Sequence, residues 1–216
     1  ESTTMKPEDF QVVYDEYENF LRRCGKIDFD DMLVFTYELL SERPDILKMW
    51  QNKFRYILID EFQDINMIQY DIVKLLAGER QNVFSVGDDD QSVYGFRGAA
   101  PAIMKKFPED FHGTVIEYLN VNYRCSYDIV ECSKRIIQNN RDRYEKQLRS
   151  AFAAGQSDRV HIVKTDSMTE QNKKIIDRIT ELNRAGIPYR EMAIIFRTNT
   201  EPRALASKLM EMAYHF

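Results

Sequence analysis

Tyr56-Ile57-Leu58-Ile59-Asp60-Glu61-Phe62-Gln63-Asp64 is a run of four apolar side chains that ends abruptly in two adjacent acids. A short stretch this apolar, rich in β-branched residues and without alternation, predicts a strand covered on both faces in a parallel α/β sheet. Ligands of such sheets gather at the carboxyl ends of the strands. Paired acids at that position can serve a metal-nucleotide complex, one carboxylate holding Mg²⁺ through its water shell and the other orienting or deprotonating a water. Asp60 and Glu61 taken alone fit a strand ending in a solvated acidic turn equally well.

Outward from this stretch the chain alternates. Asn66 to Ala77 reads as a helix with Met67, Ile68, Ile72, Leu75 and Leu76 inward, closed by Gly78. Residues 82–86, Asn-Val-Phe-Ser-Val, predict a second buried strand that runs into Gly87-Asp88-Asp89-Asp90-Gln91. Strand, helix and strand with polar groups at both carboxyl ends is the logic of a doubly wound sheet. Ser92 to Ala99 then sets Tyr94, Phe96 and Arg97 between glycines, a loop able to present rings to bases and a guanidinium to a phosphate. Plugging those rings into the core is the simpler use of them. A helix is expected from Ala100 to Phe107, a third strand over 114–119, and then Asn122-Tyr123-Arg124-Cys125 before a helix capped by Ser126.

Upstream, Phe10, Val13, Tyr14, Tyr17, Phe20, Leu21 and Cys24 recur at helical spacing between Pro7 and Gly25, a stripe that calls for a core partner. Asp28 is placed to cap a second helix and Pro44 to open a third. Downstream, 139–157 reads as a polar loop region, 159–163 and 192–196 as strands, Thr169 to Ala185 as a helix, and Leu205, Leu209 and Met210 as the apolar side of a last helix. Arg197, Thr198 and Asn199 follow the final strand. His112, His161 and His215 lack metal-spaced companions, and Cys24, Cys125 and Cys132 read as reduced packing residues.

The chain has 216 residues, 44% hydrophobic and 30% charged, enough to bury one large or two modest cores. No apolar run is long enough to span a membrane and no signal peptide is evident, so a cytoplasmic protein is expected. The net charge of −5 hides an asymmetry: residues 1–120 hold 13 Lys+Arg against 23 Asp+Glu, whereas 121–216 hold 17 against 12. Halves of −10 and +5 leave room for a nucleic-acid partner despite the acidic total.

Taken together, Ile59 to Asp64, Gly87 to Ala99 and Asn122 to Cys125 resemble motifs II, III and IV of superfamily 1A helicases, the UvrD/Rep/PcrA family. Asp28-Phe29-Asp30-Asp31 and Phe196-Arg197-Thr198-Asn199 look like further family segments, so the resemblance covers nearly the whole chain. It implies an α/β fold made of parts of two RecA-like P-loop NTPase domains, with parallel sheets flanked by helices. Residues 1–26 would be a remnant of the helical 1B subdomain, 27–119 the later part of domain 1A and 120–216 the first part of domain 2A. ATP and Mg²⁺ are the implied cofactors, and single-stranded DNA and its junctions with duplex the implied partners.

The roles that the resemblance implies fall on individual residues. Asp60 would coordinate Mg²⁺, Glu61 would activate the hydrolytic water, and Gln91 would sense the γ-phosphate. Tyr123 would stack on adenine and Arg124 would act as an arginine finger, worth about 10³ to 10⁵ in rate in comparable enzymes. Tyr94, Phe96 and Arg97 would line the DNA track, with a ring smaller than the tryptophan of many members at Phe96, and glycine where they carry a basic residue at Gly95. Arg197, Thr198 and Asn199 would lie near the DNA in the second motor domain. The implied activity is 3'-5' translocation and unwinding in DNA repair or replication.

One motif is missing. The eight glycines, at 25, 78, 87, 95, 98, 113, 155 and 186, never take the spacing Gly-x-x-x-x-Gly-Lys-Ser/Thr, so the phosphate-cradling loop is not encoded here. With an amino terminus at Glu1, the expectation is an internal fragment of a helicase, inactive alone and prone to self-association through uncovered sheet edges. Two other classes fit parts of the pattern: a metal-dependent nuclease using Asp60, Glu61 and Asp64, and a non-catalytic single-strand-binding module.

Overall fold

The structure is a computed structural model that describes residues 6–93, 102–140, 143–155, 160–198 and 200–211. Its chain divides into two compact units, Glu1–Ser157 and Asp158–Phe216.

The first unit opens with α1 (Pro7–Cys24), which Gly25 closes in the left-handed conformation at φ 60°, its N–H donating to the Arg22 carbonyl. None of its residues is buried, and Phe10 and Phe20 are more than half exposed. The expected core stripe is therefore largely exposed among the described residues: Val13, Tyr14 and Tyr17 are exposed as well, only Leu21 is half-buried, and the Tyr17 hydroxyl donates to Asp28 at 2.9 Å. Next, α2 (Phe29–Glu42) begins in a reciprocal cap: the Asp28 carboxylate accepts from the Asp31 N–H at 2.9 Å and Asp31 accepts from the Asp28 N–H at 3.1 Å. A short α3 (Pro44–Lys53) then leads into the sheet.

Two parallel strands, β1 (Ile57–Ile59) and β2 (Val83–Ser85), pair with Ile57 opposite Val83 and Ile59 opposite Ser85. The crossover between them is α4 (Met67–Ala77), whose Asn66 forms a second reciprocal cap with Gln69. One face of the strands packs into a cluster of Phe62, Tyr70, Ala77, Ile103, Phe107 and Phe111, the last three from or just beyond α5 (Ala102–Asp110). Phe107 meets Phe62 edge-on at 5.3 Å and 82°, and lies 4.6 Å from Phe111. The other face differs from expectation. Leu58 is 73% and Phe84 61% exposed, so the strands are covered on one side only among the described residues.

A second parallel pair, β3 (Val121–Asn122) and β4 (Arg149–Ser150), flanks α6 (Tyr127–Ile137). The strand expected over 114–119 forms no ladder; Val115 and Leu119 are exposed and pairing starts only at Val121. Ser126 takes the extended N-cap conformation of α6, yet its Oγ makes no capping bond. Cys24 is exposed rather than packed, while Cys125 and Cys132 are half-buried.

In the second unit, α7 (Met168–Arg184) is capped by Ser167, whose Oγ accepts from the Glu170 N–H at 3.2 Å. Its Ile176 packs with Leu205 and Leu209 of α8 (Arg203–Glu211), supported by Ile175, Ile179 and Phe196. Met210, expected inward, is exposed. Residues 160–163 and 192–196 run without ladder bonds in the described structure, and Ile162 and Ile195 are about nine-tenths exposed (89% and 93%). An extended apolar segment becomes a strand only when a neighbour takes up its N–H and C=O groups. No helix is long and apolar enough to cross a membrane.

Candidate functional site

Backbone bonds beyond the strand ends shape the site. The Val86 N–H donates to the Ile59 carbonyl at 2.9 Å, and the Phe62 N–H donates to the Val86 carbonyl at the same distance. The parallel ladder thus continues past β1 and β2 and draws their exit loops together. Between those two bonds the chain turns at Asp60 and Glu61. Glu61 adopts the left-handed conformation at φ 49°, uncommon for a residue with a β-carbon and a local strain that the surrounding bonds must hold. Asp60 accepts the Glu61 N–H at 2.9 Å, and both acids are exposed at the strand tip.

A 3-10 turn, Phe62–Asp64, buries Phe62 in the aromatic cluster and Gln63 beside it. Gln63 is 1% exposed and bridges the loops: Nε2 donates to Glu61 Oε2 at 2.7 Å and Oε1 accepts the Asp88 N–H at 3.0 Å. Gly87 makes this approach possible, since a β-carbon there would lie 2.8 Å from Gln63 Oε1. Ser92 Oγ also donates to the Gln63 carbonyl at 3.3 Å.

The second loop forms a 3-10 turn, Asp89–Gln91, capped by the Asp88 carboxylate. Asp88 holds Gln91 as well, accepting from its Nε2 at 2.8 Å. Asp88, Asp89 and Asp90 stand close enough to share a metal ion, and they are the one such group among the described residues. Their centre is taken by the Lys146 ammonium, which pairs with all three, and Arg143 adds two bonds to Asp90. The Tyr144 N–H donates to Asp89 at 2.6 Å and its hydroxyl to the Met104 carbonyl at 3.0 Å. Hydrogen bonding from Arg143 holds the Asp90 carboxyl below the usual range. Burial alone would raise Asp88, but Lys146 and Gln91 outweigh it and lower it.

The sequence reading placed Asp60, Glu61 and Gln91 at neighbouring strand ends, and the structure brings the loops that carry them together. It missed Gln63, Arg143, Tyr144 and Lys146. The last three lie in a region read as polar loop, and no local pattern links them to acids more than fifty positions away. Asp60, Glu61 and Asp64 do not converge as a metal-binding group. Tyr123 and Arg124 are exposed beyond β3, where Asn122 Oδ1 accepts the Arg124 and Cys125 N–H groups at 2.9 and 2.7 Å. Tyr94, Phe96, Arg97 and Asn199 lie outside the described residues. Arg197 and Thr198, exposed in the second unit, join a turn in which the Arg197 N–H donates to Glu201 and Thr198 Oγ1 bonds Thr200 Oγ1 at 3.1 Å.

The Asp60 carboxylate suits a hydrated Mg²⁺: it is exposed at the carboxyl end of β1, and only Oδ1 is engaged, by a backbone N–H.

Comparison with known proteins agrees with the motif reading. Residues 1–112 match the UvrD/REP helicase N-terminal domain and residues 117–215 the UvrD-like helicase C-terminal domain. The putative ATP-dependent DNA helicase YjcD of Bacillus subtilis is 39% identical over 197 residues, covering 91% of this chain and 26% of its own. The ATP-dependent DNA helicase PcrA of Staphylococcus aureus is 36% identical over 211 residues, 98% of this chain and 29% of its own. PcrA of Staphylococcus epidermidis is 37% identical over 200 residues, with 93% and 27% covered. The chain thus spans a little over a quarter of the length of these relatives.

Proposed function

Because this chain belongs to the UvrD/REP helicase family, we propose that it is the central motor segment of an ATP-dependent DNA helicase that couples Mg-ATP hydrolysis to 3'-5' movement on single-stranded DNA and to opening of duplex at its junctions. Residues 1–26 belong in this reading to a helical insertion, 27–119 to the first RecA-like domain and 120–216 to the second, in accord with the change of charge near residue 120. It serves DNA repair or replication in the cytoplasm.

One observation carries the reading: the Asp60-Glu61 loop and the Asp88-to-Gln91 loop leave adjacent parallel strands and are hydrogen-bonded to each other. That is where a nucleotide phosphate belongs in an open α/β sheet. Asp60 holds Mg²⁺, which neutralises charge on the phosphate oxygens when bound. Glu61 accepts a proton from, or orients, the attacking water. Gln91 reads the phosphate from the neighbouring loop, Tyr123 stacks on adenine and Arg124 stabilises the charge that develops during transfer. Tyr94, Phe96 and Arg97, with Arg197, Thr198 and Asn199, contact DNA by stacking and phosphate pairing.

Because no phosphate-cradling Gly-x-x-x-x-Gly-Lys-Ser/Thr loop lies within residues 1–216, this segment alone hydrolyses no ATP. The test is DNA-stimulated ATP hydrolysis, measured for residues 1–216 and for the full-length helicase with and without Glu61→Gln. The segment is expected to be silent, and the substitution to cost about 10² to 10⁴ in rate. A wild-type rate in the Glu61→Gln enzyme would remove Glu61 from the chemistry. Hydrolysis by the segment alone that vanishes with Glu61→Gln would overturn the need for the missing loop.

A further inference from the structure

Gln63 is the only buried polar residue among the described residues, and each end of its amide is used. The Asp88 backbone N–H can only donate, so it fixes Oε1 toward the second loop and turns Nε2 toward Glu61. A shorter amide could not span both loops, and an apolar side chain of the same length would leave the part-buried Asp88 N–H without this partner. Glu61 itself is exposed at the strand tip, so the direction of its carboxylate depends on what grips it. Among the described residues the grip comes from Gln63, at 2.7 Å.

The same contacts continue on the far side. Asp88 donates its N–H to Gln63 and accepts from the Gln91 amide with its carboxylate. Glu61, Gln63, Asp88 and Gln91 therefore form one unbroken chain of hydrogen bonds across two loops. A displacement of Gln91 pulls on Asp88, and Asp88 shares its backbone bond with the residue that aims Glu61.

We propose that Gln63 is a positioning residue for hydrolysis: it aims the Glu61 carboxylate and links that aim to the position of the Asp88-to-Gln91 loop. The inference rests on the reading of Glu61 as the water-activating group. Gln63 touches neither water nor nucleotide in this role. It acts through Glu61, as an outer partner acts through a metal ligand or catalytic group.

The experiment measures steady-state ATP hydrolysis by the full-length helicase carrying Gln63→Met, Gln63→Glu and Glu61→Gln, singly and in combination. Gln63→Met removes both bonds. Gln63→Glu is nearly isosteric, keeps an acceptor for the Asp88 N–H and replaces the donor with a carboxylate facing Glu61. Both single substitutions are expected to lower kcat about 10- to 100-fold, with KM for ATP unchanged. Combined with Glu61→Gln they should lower the residual rate no further, because the group they aim is already gone.

A merely structural Gln63 gives a different pattern: losses that multiply with Glu61→Gln and a KM that rises with them, which overturns the inference. Full kcat in Gln63→Glu overturns it as well, and that variant decides the matter if Gln63→Met fails to fold. Should Glu61→Gln itself keep the wild-type rate, the catalytic reading of Glu61 fails, and that failure is visible separately from anything Gln63 does.

Discussion

Arg143 clasps Asp90 with two hydrogen bonds, Nε to Oδ1 at 2.7 Å and Nη2 to Oδ2 at 2.5 Å, across 53 positions of sequence. The paired geometry matches the planar guanidinium to the carboxylate, and both side chains are more than four-fifths covered. With Lys146 between the three aspartates, this clasp fixes the loop that carries Gln91. Three like charges that would otherwise repel, or gather a cation, are offset by two positive side chains of the protein's own.

Removing Lys146 should therefore hurt more than removing the charge of Asp90, because Lys146 pairs with all three aspartates. Asp90→Asn keeps the shape and loses the charge, an expected cost of about 1 to 3 kcal/mol. Lys146→Met leaves Asp88, Asp89 and Asp90 facing one another and should cost about 3 to 5 kcal/mol, toward the upper end for a broken covered pair. Urea unfolding of residues 1–216 reads both. Equal costs would mean that Lys146 is not the centre of the cluster.

The clasp also sets a pH window. Asp88 and Asp90 have lowered pKa values in the folded chain, so their contribution is present above the unfolded carboxylate value of about 3.9 and is lost as pH falls through the folded values. For Lys146 burial alone would lower the pKa, but the three aspartates outweigh it and raise it. Its contribution is present below the unfolded value of about 10.4 and is lost as pH rises through the folded one. The stability gap between wild type and Lys146→Met should shrink at the alkaline end as pH rises through the folded Lys146 value, and at the acid end as the three aspartates of the variant, facing one another without Lys146, take up protons. A gap that changes steadily across neutral pH would contradict this assignment.

What the sequence made legible was local. Asp28 and Asn66 announce their helices because a cap acts within three residues, and Asp60, Glu61 and Gln91 announce themselves as polar groups ending apolar strands. The segments 114–119 and 192–196 were misjudged for the opposite reason: an apolar run states that a residue wants burial, not that a neighbouring strand is present to pair with it. Gln63 and Lys146 were illegible because their partners, Asp88 to Asp90, lie 25 to 58 positions away. The one available signal for Gln63 was an amide embedded between Phe62 and Asp64, with a glycine, Gly87, immediately before the aspartates.

That glycine supplies the next prediction. Gly87→Ala would place a β-carbon 2.8 Å from Gln63 Oε1 and 3.2 Å from both the Gln63 backbone nitrogen and Phe62 Cβ. Neither Phe62 nor Gln63 has room to retreat, because both are buried, Phe62 in the aromatic cluster and Gln63 beside it. Overpacking of this kind costs about 1 to 3 kcal/mol, despite the gain alanine usually brings over glycine in the unfolded chain. A thermal melt of Gly87→Ala at or above the wild-type midpoint would show that the two loops are less tightly apposed than they appear in the structure.

Self-association is the outcome expected from the side of the sheet left uncovered among the described residues. Leu58 and Phe84 are register partners across β1 and β2, and both point away from the aromatic cluster with 73% and 61% of their surface exposed. A ladder that is two-stranded among the described residues, with an apolar outer face, can bury that face against a second copy of itself. Light scattering of residues 1–216 should show mass rising across micromolar concentrations, and Leu58→Lys combined with Phe84→Lys should hold the chain monomeric, since like charges directly opposite each other repel. If wild type stays strictly monomeric, the exposed face is not adhesive. If the double variant still associates, the contact lies elsewhere, with the exposed stripe of α1, where Phe10 and Phe20 lie, the next surface to charge.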